Sequence, residues 1–167
     1  DVYKFLRYFT FLSLAEISDI EIEDKAASGR PKAQGILARE ATTLVHGDDG
    51  LNAALRITEA MFSGELSDLS EQDFEQLCQD GLPSSSLSDL DLQDKPLTNL
   101  LVEAGMVKSG REVKDALSRN SVLVNGQAKG LEDNMRTADL FSPNGGIYER
   151  YYLVKLGKKK YHLFQRI

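Results

Sequence analysis

Apolar residues recur at helical spacing through the first half of the chain and alternate along its last twenty residues, so helices are expected first and strands last. Val2, Phe5, Leu6, Phe9 and Leu12 share one helical face, while Tyr3, Tyr8 and Phe11 lie off it. A helix apolar nearly all round is covered on both sides, either inside a compact bundle or by a segment upstream. Ser13 and Glu16 have capping-box spacing and open a second helix to about Lys25, which Ser28-Gly29 breaks. Pro31 suits the first turn of a third helix, with Leu37, Ala41, Leu44 and Val45 on one face as far as His46-Gly47. Asp48 or Asp49 can cap the next, whose stripe is Leu51, Ala54, Leu55, Thr58 and Phe62 before Ser63-Gly64. Ser70 and Asp73 start a last one through Phe74 and Leu77, stopped by Gly81-Leu82-Pro83. Residues 1–82 therefore read as an all-helical bundle.

The pattern then lapses. Residues 83–95, rich in Ser and Asp and without an aromatic, read as a flexible, self-repelling acidic linker. Residues 96–167 read as one small domain. Leu97, Leu100, Leu101 and Ala104 form a helical face, and Gly105 stands where a left-handed cap belongs. Ser109 and Glu112 repeat the capping-box spacing, and Val113, Ala116 and Leu117 turn one side of a second helix inward. Asn120 ends that helix, and Val122 and Val124 begin a strand turning at Asn125-Gly126, with Gln127 to Lys129 returning across it. Tyr152, Val154 and Leu156 alternate with Tyr151, Leu153 and Lys155, and Tyr161 to Ile167 alternates again beyond Gly157-Lys158-Lys159-Lys160. This is a terminal hairpin with a lysine-rich tip. The fold class expected is α+β: a helical bundle, then two helices on a small, mostly antiparallel sheet.

Charge sharpens this division. Residues 1–94 hold 7 Lys and Arg against 19 Asp and Glu, a balance of −12, whereas residues 95–167 hold 13 against 7, a balance of +6. That asymmetry marks a polyanion-binding segment joined to a part with another task. Lys108, Arg111 and Lys114 recur every three residues on the solvent side of the second helix, and Arg119 follows at its end. With Lys155, Lys158, Lys159 and Lys160 of the hairpin they are the expected RNA-binding residues. Arg30 and Lys32 are weaker candidates in the acidic half. Lysines on a hairpin tip also discourage edge-to-edge aggregation.

Two stretches carry a family resemblance. The helix, Gly105-Met106-Val107, Ser109, the basic helix and Val122-Leu123-Val124-Asn125-Gly126 together resemble the αL-type (S-four) RNA-binding module of a ribosomal protein, some pseudouridine synthases and bacterial tyrosyl-tRNA synthetases. The family usually places Arg directly after the Ser; here Gly110 intervenes and Arg111 comes one step later. Asn120, where most members have Gly, is similar to the synthetase branch. Asp1 to Ile17, Leu44-Val45-His46-Gly47, Gly50-Leu51, Ile57-Thr58-Glu59 and Met61-Phe62-Ser63-Gly64 resemble the helical region that, in those synthetases, joins the catalytic fold to the tail and contributes to anticodon binding.

The resemblance implies a C-terminal piece of such a synthetase. Its implied partner is tyrosine tRNA, met at the anticodon stem and the long variable arm; no DNA or membrane partner is expected. The His-Ile-Gly-His and Lys-Met-Ser-Lys-Ser type signatures of class I synthetases do not occur in this sequence, so no catalytic residues and no cofactor are expected here. ATP and tyrosine are expected only at a catalytic domain elsewhere in the parent protein. Family dimers form mainly through that domain, so the parent is expected as a homodimer and this piece as a monomer. The single Cys78 excludes an internal disulfide framework and fits a reducing cytoplasm. Neither it nor His46 or His162 has a partner at metal-ligand spacing, so no metal is expected. Two alternatives remain: a free-standing ribosomal or stress-related RNA binder with the same tail, and a helical protein-interaction module with an incidental basic end.

Overall fold

The computed structural model describes residues 1–93 and 95–167, and divides into two compact units, Asp1–Thr58 and Glu59–Ile167. The class is α+β as the sequence implies. No helix is long and apolar enough to cross a membrane among the described residues.

The first unit contains α1 (Val2–Phe9), α2 (Leu14–Ala26) and most of α3 (Lys32–Ser63). Its core is Leu6, Ile17 and Ala33, all fully buried, with Val2, Leu12, Ile20 and Ile36 around them. The Ser13–Glu16 capping box forms in both directions. The buried Asp24 fixes the turn into α3: its carboxylate accepts from the Lys32 and Ala33 amides at 2.6 and 3.1 Å and from the Tyr3 hydroxyl at 3.2 Å. Burial opposes the charge of Asp24, yet these donors hold its carboxyl below the usual range. Gly47, at φ 70° and ψ −177°, breaks α3 where His46-Gly47 was expected to end a helix. The two apolar patterns are not fully buried. Phe5, Tyr8, Phe9 and Phe11 of the first segment stand exposed, and on the expected stripe Leu55 and Phe62 do too.

The second unit is a five-stranded sheet in the order β1-β5-β4-β2-β3, with β1 Ser84–Leu87, β2 Val122–Val124, β3 Gln127–Lys129, β4 Tyr151–Leu156 and β5 Lys160–Arg166. All pairings are antiparallel except β1 with β5. One face is covered by α5 (Asp89–Leu92), α6 (Leu97–Glu103), α7 (Gly110–Leu117) and α8 (Thr137–Leu140). Leu97, Leu101, Val113, Leu117 and Phe141 pack there against Val122, Tyr152, Val154 and Phe164. Strand alternation sends Tyr151 and Leu153 to the other face. There Phe74 of α4 (Glu71–Gln76) stacks on Tyr151 with centroids 5.1 Å apart, and the Tyr148 hydroxyl donates to the Leu69 carbonyl at 2.8 Å. Residues 59–82, expected within the helical bundle, thus complete the sheet unit.

Residues 83–95 also depart from expectation. Ser84 to Leu87 pair in register with Leu163 to Arg166, and Leu87 and Leu92 are each only 3% exposed in the sheet unit's core. Ser88 and Asp91 form a capping box for α5, and Arg166 reaches both the Phe141 carbonyl, at 2.5 Å, and the Asp89 carboxylate. The open edge of β5 explains the difference, because its backbone groups need partners and a serine strand supplies them without adding bulk. Asp94 lies outside the described residues.

Candidate nucleic-acid interface

The basic helix is set by its two ends. After α6, Met106 N donates to Leu101 O at 3.1 Å and Gly105 N to Val102 O at 3.0 Å, with Gly105 at φ 73°. After α7, Ser121 N donates to Ala116 O at 2.8 Å and Asn120 N to Leu117 O at 2.9 Å, with Asn120 at φ 50°. Both are Schellman closures, which need a left-handed residue at that position. Between them Val113, Ala116 and Leu117 are buried, leaving Lys108, Arg111, Lys114 and Arg119 exposed. Ser109, expected to cap with Glu112, makes no side-chain cap bond. Glu112 has another partner.

That partner is on the hairpin. Glu112 Oε1 accepts from Lys160 Nζ at 2.7 Å, and Gly157 N donates to Ser121 O at 2.9 Å. The β4–β5 tip is therefore tied to the start of α7 and to Ser121, the residue just before β2. The Lys160 hydrogen bond, which outweighs an opposing desolvation, holds the Glu112 carboxyl below its ordinary range, and Lys108 adds to the effect. Lys158 and Lys159 stand exposed on this tip. Arg111, Lys114, Lys158 and Lys159 form no ion pair among the described residues. Arg119, just past the C-cap of α7, folds back to donate from Nε to the Asp115 carbonyl at 3.0 Å.

The other expected residues have different settings. Lys155 alternates with Val154 and Leu156, so it emerges on the face opposite α7, where its ammonium lies 5.2 Å from the Tyr161 ring centroid. Arg30 and Lys32 belong to the first unit, and Lys32 pairs with Glu23 at 3.1 Å. Sequence reading missed Lys129 and Arg136, which border a groove with Asn125 and Gln127 beside β3. Lys129 sits at the end of a three-residue strand and Arg136 follows a 3₁₀ turn, segments too short to show periodicity. The groove also carries Asp133 and Asp139, and Arg136 pairs with Asp139 at 3.1 Å, so it is less cationic than the α7 side.

The histidine and cysteine side chains have local structural surroundings. His162 is buried and shares a 2.9 Å hydrogen bond with Ser85 through Nε2, and burial pushes its pKa down. Burial likewise pushes the Cys78 thiol up, away from the thiolate form a nucleophile needs. Among the described residues no three His, Cys, Asp or Glu side chains stand together as a metal site.

Against known proteins, residues 73–164 match the family model described as the tyrosine-tRNA ligase SYY-like C-terminal domain. Over 164 residues the chain is 42% identical to a tyrosine-tRNA ligase of Aliivibrio fischeri, covering 98% of this chain and 37% of that protein. A tyrosine-tRNA ligase of Dechloromonas aromatica is 44% identical over the same length and coverage, and one of Laribacter hongkongensis is 46% identical, with 36% of it covered. The chain thus spans little more than a third of the curated relatives it matches.

Proposed function

The chain belongs to the family of tyrosine-tRNA ligase C-terminal domains, and from that premise we propose that it binds and positions tyrosine tRNA for aminoacylation. The ligation chemistry, with its ATP and tyrosine, falls to the part of the relatives' length outside the matched stretch. The observation that supports the reading is the link between Lys160 and Glu112, which ties the hairpin to the first turn of α7, with Lys108, Arg111, Lys114, Lys158 and Lys159 all exposed in the same unit. Folded RNA offers phosphates, 2′-hydroxyls and helix shape, and a preformed group of cations needs no reaction centre to use them. The anticodon stem and the long variable arm are the elements of the tRNA assigned to this surface.

A titration of this chain against tyrosine tRNA with and without its extra arm tests the proposal. Five phosphate contacts correspond to a slope of about −3 to −5 in log K against log salt. Loss of the arm is expected to weaken binding. Equal affinity for both RNAs removes the arm from the reading, and salt-independent binding removes the cationic surface.

A further inference from the structure

A second concave site lies on the face of the sheet turned away from α7, wholly within the second unit. Its floor is Leu66 and Leu153, both buried, with the half-buried Leu123. Its wall is the ring of Tyr161 with Lys155 Nζ held 5.2 Å from the centroid. Its rim is Phe62, 85% exposed and without a ring contact among the described residues. Gly64 and Gly126, at φ 84° and 80°, close the rim with backbone alone. No Asp or Glu lines the cleft, and Lys155 forms no ion pair among the described residues.

We propose that this cleft takes a single unpaired nucleotide of the bound RNA, its base against Tyr161 and Phe62 and its phosphate on Lys155. This rests on the RNA-binding reading above and adds a second contact on another face. An aromatic wall, an aromatic rim and one uncompensated ammonium over an apolar floor match the two halves of a nucleotide, a flat π-surface and an anion. A base stacked on an aromatic side chain contributes about 1–3 kcal/mol, which corresponds to roughly 5- to 150-fold in affinity. A paired helix cannot use the cleft, because its bases are already stacked on one another. Leaving Phe62 in water is unfavourable for the free protein, and a stacked base relieves this.

The test uses the whole chain and an RNA hairpin carrying one bulged 2-aminopurine, compared with the same hairpin fully paired. The bulged hairpin is expected to bind about tenfold more tightly, with quenched 2-aminopurine fluorescence. Phe62→Ser and Tyr161→Leu should each reduce that preference several-fold and leave the paired hairpin's affinity unchanged; Phe62 is too exposed for its replacement to disturb the fold. Lys155→Gln should weaken the bulged hairpin more than the paired one. By contrast, Lys114→Glu with Lys158→Glu should weaken both hairpins alike and preserve their ratio. Equal affinities in the unaltered chain, or a preference that survives Phe62→Ser combined with Tyr161→Leu, would overturn the assignment of the cleft. Binding of neither hairpin at low salt would overturn the RNA reading itself, and the cleft's role with it.

Discussion

Lys160 Nζ lies 2.7 Å from Glu112 Oε1, and this contact joins the tip of the terminal hairpin to the first turn of α7 across 48 residues of sequence. Both side chains are nearly half exposed, so the pair is salt-sensitive and contributes little to stability. Its larger consequence is electrostatic. It places one carboxylate inside a group of cations, where it neutralises Lys160 and draws on Lys108.

Glu112→Gln is therefore expected to raise RNA affinity about threefold at low salt, an order-of-magnitude figure for one solvent-screened charge, with the unfolding midpoint nearly unchanged. Because the folded carboxyl titrates below its unfolded value, the ion pair is complete above the ordinary carboxylate range and is lost as pH falls through the folded pKa. The advantage of Glu112→Gln over the unaltered chain should accordingly shrink in acid. RNA titrations at neutral and acidic pH check both points.

Reversing Lys114 and Lys158 together to Glu should weaken RNA binding by about 10- to 100-fold and flatten the salt slope by about 2, the value for two lost phosphate contacts. Both side chains are exposed and unpaired among the described residues, so circular dichroism and urea unfolding should not change. Arg119→Ala should have a smaller effect, since its Nε is already engaged by the Asp115 carbonyl.

Phe74, fully buried and stacked on Tyr151, secures residues 59–82 to the sheet. Phe74→Ala should destabilise the second unit by about 3–5 kcal/mol, the cost of deleting a buried phenyl ring and leaving its cavity. A chain starting at Pro83 would expose the same face of Tyr151 and should be poorly soluble, while one starting at Glu59 should fold. Urea denaturation and analytical gel filtration distinguish these outcomes.

His162 supplies a pH dependence. Its folded pKa is depressed by burial, so the unfolded chain takes up a proton near the ordinary histidine value while the folded chain does not. Stability is therefore fully present above about pH 6.5 and declines as pH falls from there towards the depressed value, by at most about 1.4 kcal/mol per pH unit. His162→Gln, which can still hydrogen-bond Ser85, should lose less stability between neutral pH and pH near 5. Paired urea titrations of the two chains measure the difference.

The helix boundaries and the positions of the turns were legible because each is fixed by a few neighbouring residues. Ser13 with Glu16, Ser70 with Asp73, Gly105, Asn120 and Asn125-Gly126 all form the caps or turns their chemistry implies. Arg111 and Lys114 were legible for the same reason, since a buried Val113–Leu117 side fixes where they go, whereas Lys108, expected on the same helix, precedes its N-cap Ser109. The linker reading failed because composition measures average polarity. Two buried leucines and a row of backbone hydrogen bonds outweighed four serines. Ser109 and Glu112 have the right spacing for a capping box, yet Ser109 makes no side-chain cap bond and the Glu112 carboxylate is held by Lys160, a charge-assisted partner from a distant segment that spacing alone does not reveal.

By itself, then, the sequence determined the local elements, the charge imbalance between its two parts and the family it resembles, all of which depend on residues within a turn or two of one another or on simple counts. Only the tertiary structure decided that residues 59–82 cover the second face of the sheet, that β1 adds parallel to β5, and that the hairpin tip is tied beside the basic helix. Those outcomes depend on which distant backbone edges and apolar faces find one another. Such pairings are selected by the burial and hydrogen bonding of the assembled unit, and no single segment encodes them.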